Sequence, residues 1–202
     1  MTKVALRQQA TEYDCVPTSL INALCYLFRR AELPPFVVQR VYKDCLDHLA
    51  GRGTSSQAIH DIGHWLNCYK EKRFARFAVA TSYIYCEDVH LQCSSRIIKC
   101  LDTGGAVLIF VHSSQYERHC ILGIRYADGW LYCYEPHPRS KRFITNEAVQ
   151  FIEPTGIHAP NIKIRCDWLE RTSDQANHSS EWKYVFGNIS NRECLLMQRI
   201  RE

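Results

Sequence analysis

The sequence predicts an α+β fold, with a helical first half packed on an antiparallel sheet built by the second half. Three observations predict it. Up to about residue 104, apolar residues recur at the i, i+3/i+4 spacing of a helix face. Beyond that point the apolar runs shorten to strand length and become rich in β-branched and aromatic residues. Between two of these runs stands Asp128-Gly129, a strong short-range hairpin signal. With 202 residues, 46% hydrophobic and 23% charged, the chain can bury one core. One domain over residues 1–202 is therefore expected, helical to about 103 and sheet-forming from about 104.

The first helix is expected to start after Asp14, an N-cap residue type, with Pro17 in its first turn. Leu20, Ile21, Leu24, Leu27 and Phe28 form its apolar stripe, and Arg29-Arg30 suit its negative C-terminal end. Pro34-Pro35 opens a second helix through Val38, Val41, Tyr42, Cys45 and Leu46. GRGTSS, Gly51 to Ser56, is a loop ending in capping residues. A third helix runs from about Ser56 to Tyr69 with Ile59, Ile62, Leu66 and Tyr69 inward. A fourth, about Asp88 to Leu101, stops at Gly104-Gly105. AVLIFVH, Ala106 to His112, is a buried strand, and HCILGIRYADGWLYCYEP is a hairpin. Weaker strand candidates are Ala148 to Ile152, Ile162 to Cys166, Trp182 to Phe186 and Cys194 to Ile200. Leu169 to Ser180 is polar and read as loop.

Charge and composition exclude several function classes. The net charge of +4 is scattered, and the nearest basic run, Arg139 to Arg142, is read as a solvated loop, so no nucleic acid is expected as a partner. No apolar run approaches a membrane span, and MTKVALRQQATEYD holds no apolar core of signal-peptide length. The expected location is the cytoplasm, and the sequons at Asn177 and Asn188 count as chance. The pattern specifies no oligomeric state. Eleven cysteines with no C-x-x-C pair fit free thiols in a reducing compartment. Cys86, Cys93 and Cys100 recur every seven residues and would share one helical face, as buried small residues rather than metal ligands. His60, His64 and Cys68 have helical ligand spacing but lack the adjacent Glu of a metalloprotease motif, so a polar helix face is expected. GRGTSS lacks the Gly-Lys-Ser/Thr ending of a phosphate loop. Trp182, Tyr184 and Phe186 alternate as one strand face.

Against this background one thiol stands apart. Cys15 falls at the first turn of the strongest helix, where unpaired backbone N–H groups and the dipole stabilise a thiolate. A cysteine nucleophile needs a base, usually His from far along the chain. Of nine histidines, His119 opens an apolar strand, where its ring can be held while its tip faces a cleft. Glu135 closes the next strand of the hairpin, at the same end, and can orient the imidazole. The Cys15 N–H and a Gln9 side-chain N–H are candidate oxyanion donors, with Gln8 the rival of Gln9.

These residues resemble a known family. Gln9 to Leu20, QATEYDCVPTSL, is similar to the N-terminal motif of the papain-like cysteine peptidases that process double-glycine leader peptides, including bacteriocin leaders. Their pattern is Gln, five residues, then commonly Asp-Cys-Gly-Pro; Gln9, Asp14, Cys15, Pro17 and Leu20 match. GGAVLIFV, Gly104 to Val111, resembles the family's Gly-rich lead into a strand. His119 and Glu135-Pro136 fall where the family has His and Asp-Pro. The sequence departs from the pattern at Val16, which replaces Gly, and at Glu135, which replaces Asp. The resemblance covers Gln9 to about Pro136. It implies a papain-like fold, a bacterial source, and a free-standing relative without transporter domains. It also implies Cys15 as nucleophile, His119 as base, Gln9 at the oxyanion and Glu135 as orienter. The expected function is a cysteine-dependent hydrolase acting through an acyl-enzyme on a peptide or amide-containing small molecule, with no metal or organic cofactor. Acyl transfer by the same chemistry, or a non-catalytic binding module on the same fold, are the alternatives.

Overall fold

The computed structural model describes residues 2–47, 53–112, 118–138, 147–172 and 184–200. The expected RSKR loop, Asn177 and residues 182–183 lie outside these.

Three helices come first. α1 (Cys15–Leu27) is buried at every position from Val16 to Cys25, so it is wrapped on all sides rather than along one stripe. α2 (Pro35–Cys45) begins with Pro35 at its first position, where the missing N–H costs no hydrogen bond. It buries Val37, Val41 and Cys45, one turn apart, whereas Leu46 lies past its end and is exposed. α3 (Ser56–Cys68) is capped by Ser55, whose Oγ accepts from the Ala58 N–H at 3.0 Å, and it buries Ile59, Ile62 and Leu66.

The structure corrects the reading of the segment before residue 104. Val79–Tyr85 forms an edge strand, β1, that the sequence did not reveal. The expected fourth helix shrinks to α4 (Arg96–Asp102), capped by Ser55's counterpart Ser95, whose Oγ accepts from the Ile98 N–H at 3.1 Å. Residues 86–88 form instead a 3-10 turn that Cys86 enters at φ +53°. Cys86, Cys93 and Cys100 therefore share no helix face.

The remaining strands are β2 (Ala106–His112), β3 (Arg118–Ala127), β4 (Trp130–Tyr134), β5 (Val149–Phe151), β6 (Ile162–Arg165) and β7 (Glu193–Arg199). A four-residue helix, α5 (Cys166–Leu169), follows β6. Every pairing is antiparallel, in the order β1-β7-β2-β3-β4-β6-β5. The β3–β4 hairpin turns at Asp128 and Gly129, with φ of +52° and +77°, the pair of positive values that a type I′ turn requires. Of the expected strand Trp182 to Phe186, the described residues show an isolated bridge from Val185 to His112.

Apolar residues of the sheet feed two cores. α1, α2 and α3 pack on one face with Leu108, Phe110, Cys120, Leu122 and Leu195. α4, Leu169, Tyr184 and Phe186 pack on the other with Val107, Ile109, Ile121, Leu131 and Ile162. Ala106 to Val111 is buried throughout because β2 is covered on both faces, which explains its unbroken apolar run. The architecture is α+β. Among the described residues, no helix is long and apolar enough to cross a membrane.

Candidate active site

Cys15 is the first residue of α1 and is half-buried. The turn before it is fixed by Asp14. Its carbonyl accepts the Thr18 N–H at 3.0 Å, as an N-cap carbonyl should. Its carboxylate turns back rather than forward, accepting from the Ala10 and Thr11 N–H groups at 3.1 and 2.7 Å and from the Thr11 hydroxyl at 2.9 Å. Burial alone would raise this carboxyl; the Thr11 and Ala10 N–H groups and the Thr11 and Thr18 hydroxyls outweigh it and hold the pKa below its ordinary value. Asp14 thus shapes the loop and makes no side-chain cap on the first N–H groups of α1. Val16 has ordinary helical geometry with its side chain in the core, so a β-branched residue fits where the resemblance has glycine.

The chain before α1 folds back as a strap. Asn22, fully buried on α1, accepts from the Arg7 N–H at 3.0 Å and donates to the Arg7 carbonyl at 2.8 Å. The Gln9 N–H donates to the Pro136 carbonyl at 2.9 Å, which brings Gln9 beside the end of β4. Gln9 is buried and Gln8 is exposed. One Gln9 Nε2 hydrogen goes to the Thr11 carbonyl at 2.7 Å, and Oε1 has no hydrogen-bond partner among the described residues.

His119 is the second residue of β3 and pairs with Val111 on β2. The β3–β4 register sets Tyr134 opposite Leu122. One step further puts Glu135 opposite Ile121, on the face His119 occupies two residues along. The side chains meet there: His119 Nε2 donates to Glu135 Oε1 at 2.5 Å, with both groups buried. Cys15 lies close enough to His119 to bear on its charge. With Nε2 on Glu135, Nδ1 is the ring nitrogen left for a further partner. Burial by itself would lower the imidazole pKa. The adjacent Glu135 charge, its hydrogen bond and the neighbouring Cys15 reverse this and hold it up to about 9, which favours the imidazolium at neutral pH.

Glu135 is clamped by three other residues of the chain. Asn161 holds its backbone from both sides, accepting its N–H at 2.7 Å and donating to its carbonyl at 2.9 Å. The His137 N–H donates to Oε1 at 2.8 Å and the Tyr184 hydroxyl to Oε2 at 2.6 Å. The His-Pro dipeptide after Glu135-Pro136 was the available signal for His137; Tyr184 and Asn161 had none, because their link to Glu135 exists only in three dimensions.

Burial pushes the Cys45, Cys166 and Cys194 thiols up to about 12 and Cys100 to about 11, and it also raises Cys25, Cys120 and Cys133. His60, His64 and Cys68 lie on the exposed face of α3, and among the described residues no three His, Cys, Asp or Glu side chains group as a metal site. Next to His119, Arg118 pairs with buried Glu193 and lies over the Phe110 ring at 4.7 Å. These three, with Ser56, Tyr83 and Phe186, line a cleft of about 570 Å³.

The chain is similar in structure to a double-glycine motif protease. That solved structure is of the protease from an AMS/PCAT transporter in complex with the leader peptide. The identity is 11%, the match covers 99% of this chain and 97% of that chain, and the TM-score is 0.45. No family model matches the chain, and no curated protein matches it.

Proposed function

We propose that this chain is a cysteine-dependent hydrolase of peptide or amide bonds. The observation that carries the reading is the buried His119 imidazole, bonded to Glu135 and neighboured by Cys15 at the start of α1. Geometry of this kind suits acyl transfer and little else in a core that otherwise buries neutral thiols. A peptide substrate is supported by the Gln9–Leu20 motif and its resemblance to leader-processing peptidases.

In this mechanism the Cys15 thiolate attacks the substrate carbonyl carbon, and the carbonyl π pair moves onto oxygen. The first N–H groups of α1 and the second Nε2 hydrogen of Gln9 receive that oxyanion. The tetrahedral adduct collapses, the C–N bond breaks, and the His119 imidazolium gives its proton to the leaving amine. A thioester remains on Cys15. Neutral His119 then takes a proton from water as the water attacks the thioester; collapse expels the Cys15 thiolate and releases the acid. Glu135 keeps the ring oriented and supports its positive charge in both half-reactions.

The test is to incubate the full chain with activated peptide thioesters of varied sequence, quench in acid and map the adduct by mass spectrometry. The expected result is one acyl group on Cys15, which decays in water, is absent from Cys15→Ala, and forms about 10²- to 10⁴-fold more slowly in His119→Ala. An adduct that decays only when an amine is supplied would reassign the reaction as acyl transfer. Acylation spread over exposed Cys68 and Cys93, or none at Cys15, would overturn the catalytic reading.

A further inference from the structure

We propose that Tyr184 is a positioning residue for the Cys15–His119 pair, acting through Glu135; the inference rests on the hydrolase reading above. Tyr184 is buried on the sheet face opposite α1, and its backbone adopts φ +60°. A bulky residue takes that conformation only where its surroundings impose it, and such strain clusters at functional sites. The imposing contacts are a donation from the Tyr184 N–H to the His112 carbonyl at 2.7 Å and from the His112 N–H to the Val185 carbonyl at 2.9 Å. They pin the segment to the end of β2, whose Val111 pairs with His119. The ring packs beside Phe151 at 6.4 Å between centroids, a role that phenylalanine would fill equally well. What phenylalanine lacks is the hydroxyl, and the hydroxyl is bonded to Glu135 Oε2.

That bond addresses a specific difficulty. The terminal torsion of a glutamate is soft, and its two oxygens exchange by rotation. Oε1 serves His119 and the His137 N–H. Without the Tyr184 hydroxyl on Oε2, one restraint on that rotation is lost and the carboxylate is freer to turn from the imidazole. With Tyr184 on Oε2, both oxygens are assigned and the extra methylene of Glu135, compared with the Asp of the resembling family, is spanned. The ionisable groups that face His119 are Glu135, Cys15 and the His137 ring at 6.4 Å between centroids. Among its contacts, Glu135 is faced by His119 and Tyr184 and lies near Tyr134 and Cys133. The Arg118 guanidinium is committed to Glu193 and Ser56.

The experiment compares the full-length chain with Tyr184→Phe by two readouts. The first is the His119 ring titration by heteronuclear NMR in a Cys15→Ser background. The second is the pH-rate profile of Cys15 alkylation by iodoacetamide with Cys15 intact. Loss of the hydroxyl is expected to lower the His119 midpoint by about one pH unit and to slow Cys15 alkylation roughly tenfold at neutral pH. In a Glu135→Gln background, Tyr184→Phe should add little to either readout, because the two residues act as one unit. A third readout needs no Tyr184 variant: the hydroxyl proton should give a slowly exchanging downfield resonance that moves in Glu135→Gln. A His119 midpoint unmoved by Tyr184→Phe, or no such hydroxyl resonance, overturns the assignment whatever Cys15 does. A Cys15 no more reactive than Cys68 and Cys93, alongside a shifted His119, would instead overturn the hydrolase reading and leave the Tyr184–Glu135 contact standing.

Discussion

At the residue scale, the charge on His119 is the quantity to watch. Its folded pKa is raised from 6.5 to about 9, so the stabilisation from the ion pair is fully present below 6.5 and is lost as pH rises through 9. The difference in urea midpoint between the natural chain and His119→Gln should therefore shrink across that window, whereas a flat difference would contradict an imidazolium. Glu135 yields a second expectation. Glu135→Asp cannot reach both His119 and Tyr184, so it should slow Cys15 alkylation at neutral pH and cost about 1–3 kcal/mol of stability for the buried donor left unpaired. Full activity in Glu135→Asp would show that the longer side chain has no role. Cys15, His119 and Glu135 can be singled out as candidates because each has a local signal, a helix start, a strand start and a strand end, whereas Gln9 is singled out from Gln8 only by the resemblance. Asn22, Asn161 and Tyr184 carry no such signal. Their partners lie 15, 26 and 49 residues away, and an Asn or Tyr within an apolar run reads the same whether or not it meets one.

Between residue and fold, the elements that matter are the strap, α1 and the Gly-led β2. Asn22→Ala removes both bonds that the buried Asn22 amide makes to the Arg7 backbone, so it should cost about 1–3 kcal/mol and raise protease cleavage before residue 10. Unchanged stability would mean the strap is held elsewhere, by Leu6 to Ile157 and His158 to Val4. Gly105 is another strict position: a Cβ there would lie 2.5 Å from Cys100 Sγ, 2.6 Å from the Cys100 carbonyl and 2.8 Å from the Met197 carbonyl. Two of these are backbone atoms that cannot step aside, so Gly105→Ala should destabilise by more than about 2 kcal/mol. Helices α1 to α3 and the β3–β4 hairpin could be read from periodicity, caps and turn residues. β1 could not. VATSYIY lacks clean alternation because it is an edge strand whose Thr81 backbone is covered by the Asn67 side chain of α3, accepting from Thr81 N–H at 2.6 Å and donating to its carbonyl at 3.1 Å. The fourth helix was overextended because the apolar residues Val89 and Leu91 kept its period while packing from a non-helical segment.

Over the whole molecule, one sheet buried on both faces explains why so many thiols are tolerated. Cys45, Cys100 and Cys194 are raised from 9.0 to about 12, 11 and 12, so each keeps its proton in the fold where the unfolded chain loses it. Their contribution is complete below 9.0 and is lost as pH climbs toward those values, so the chain should unfold more readily in alkali. Reversible unfolding with an unchanged midpoint across that range would contradict the burial. The same burial makes thiol chemistry a clean probe of the site. Cys68 and Cys93 are exposed, Cys15 is half-buried, and the core thiols are shielded. On exposure alone Cys15 should lag behind Cys68 and Cys93. The most direct measurement is the rate of iodoacetamide alkylation at each cysteine, resolved by mass spectrometry, well below the free-thiol pKa of about 8.5. A Cys15 paired with the His119 imidazolium should react first by at least about tenfold, and should lose that lead in His119→Ala. A Cys15 that reacts no faster than Cys68 and Cys93, or whose rate is indifferent to His119, would contradict it.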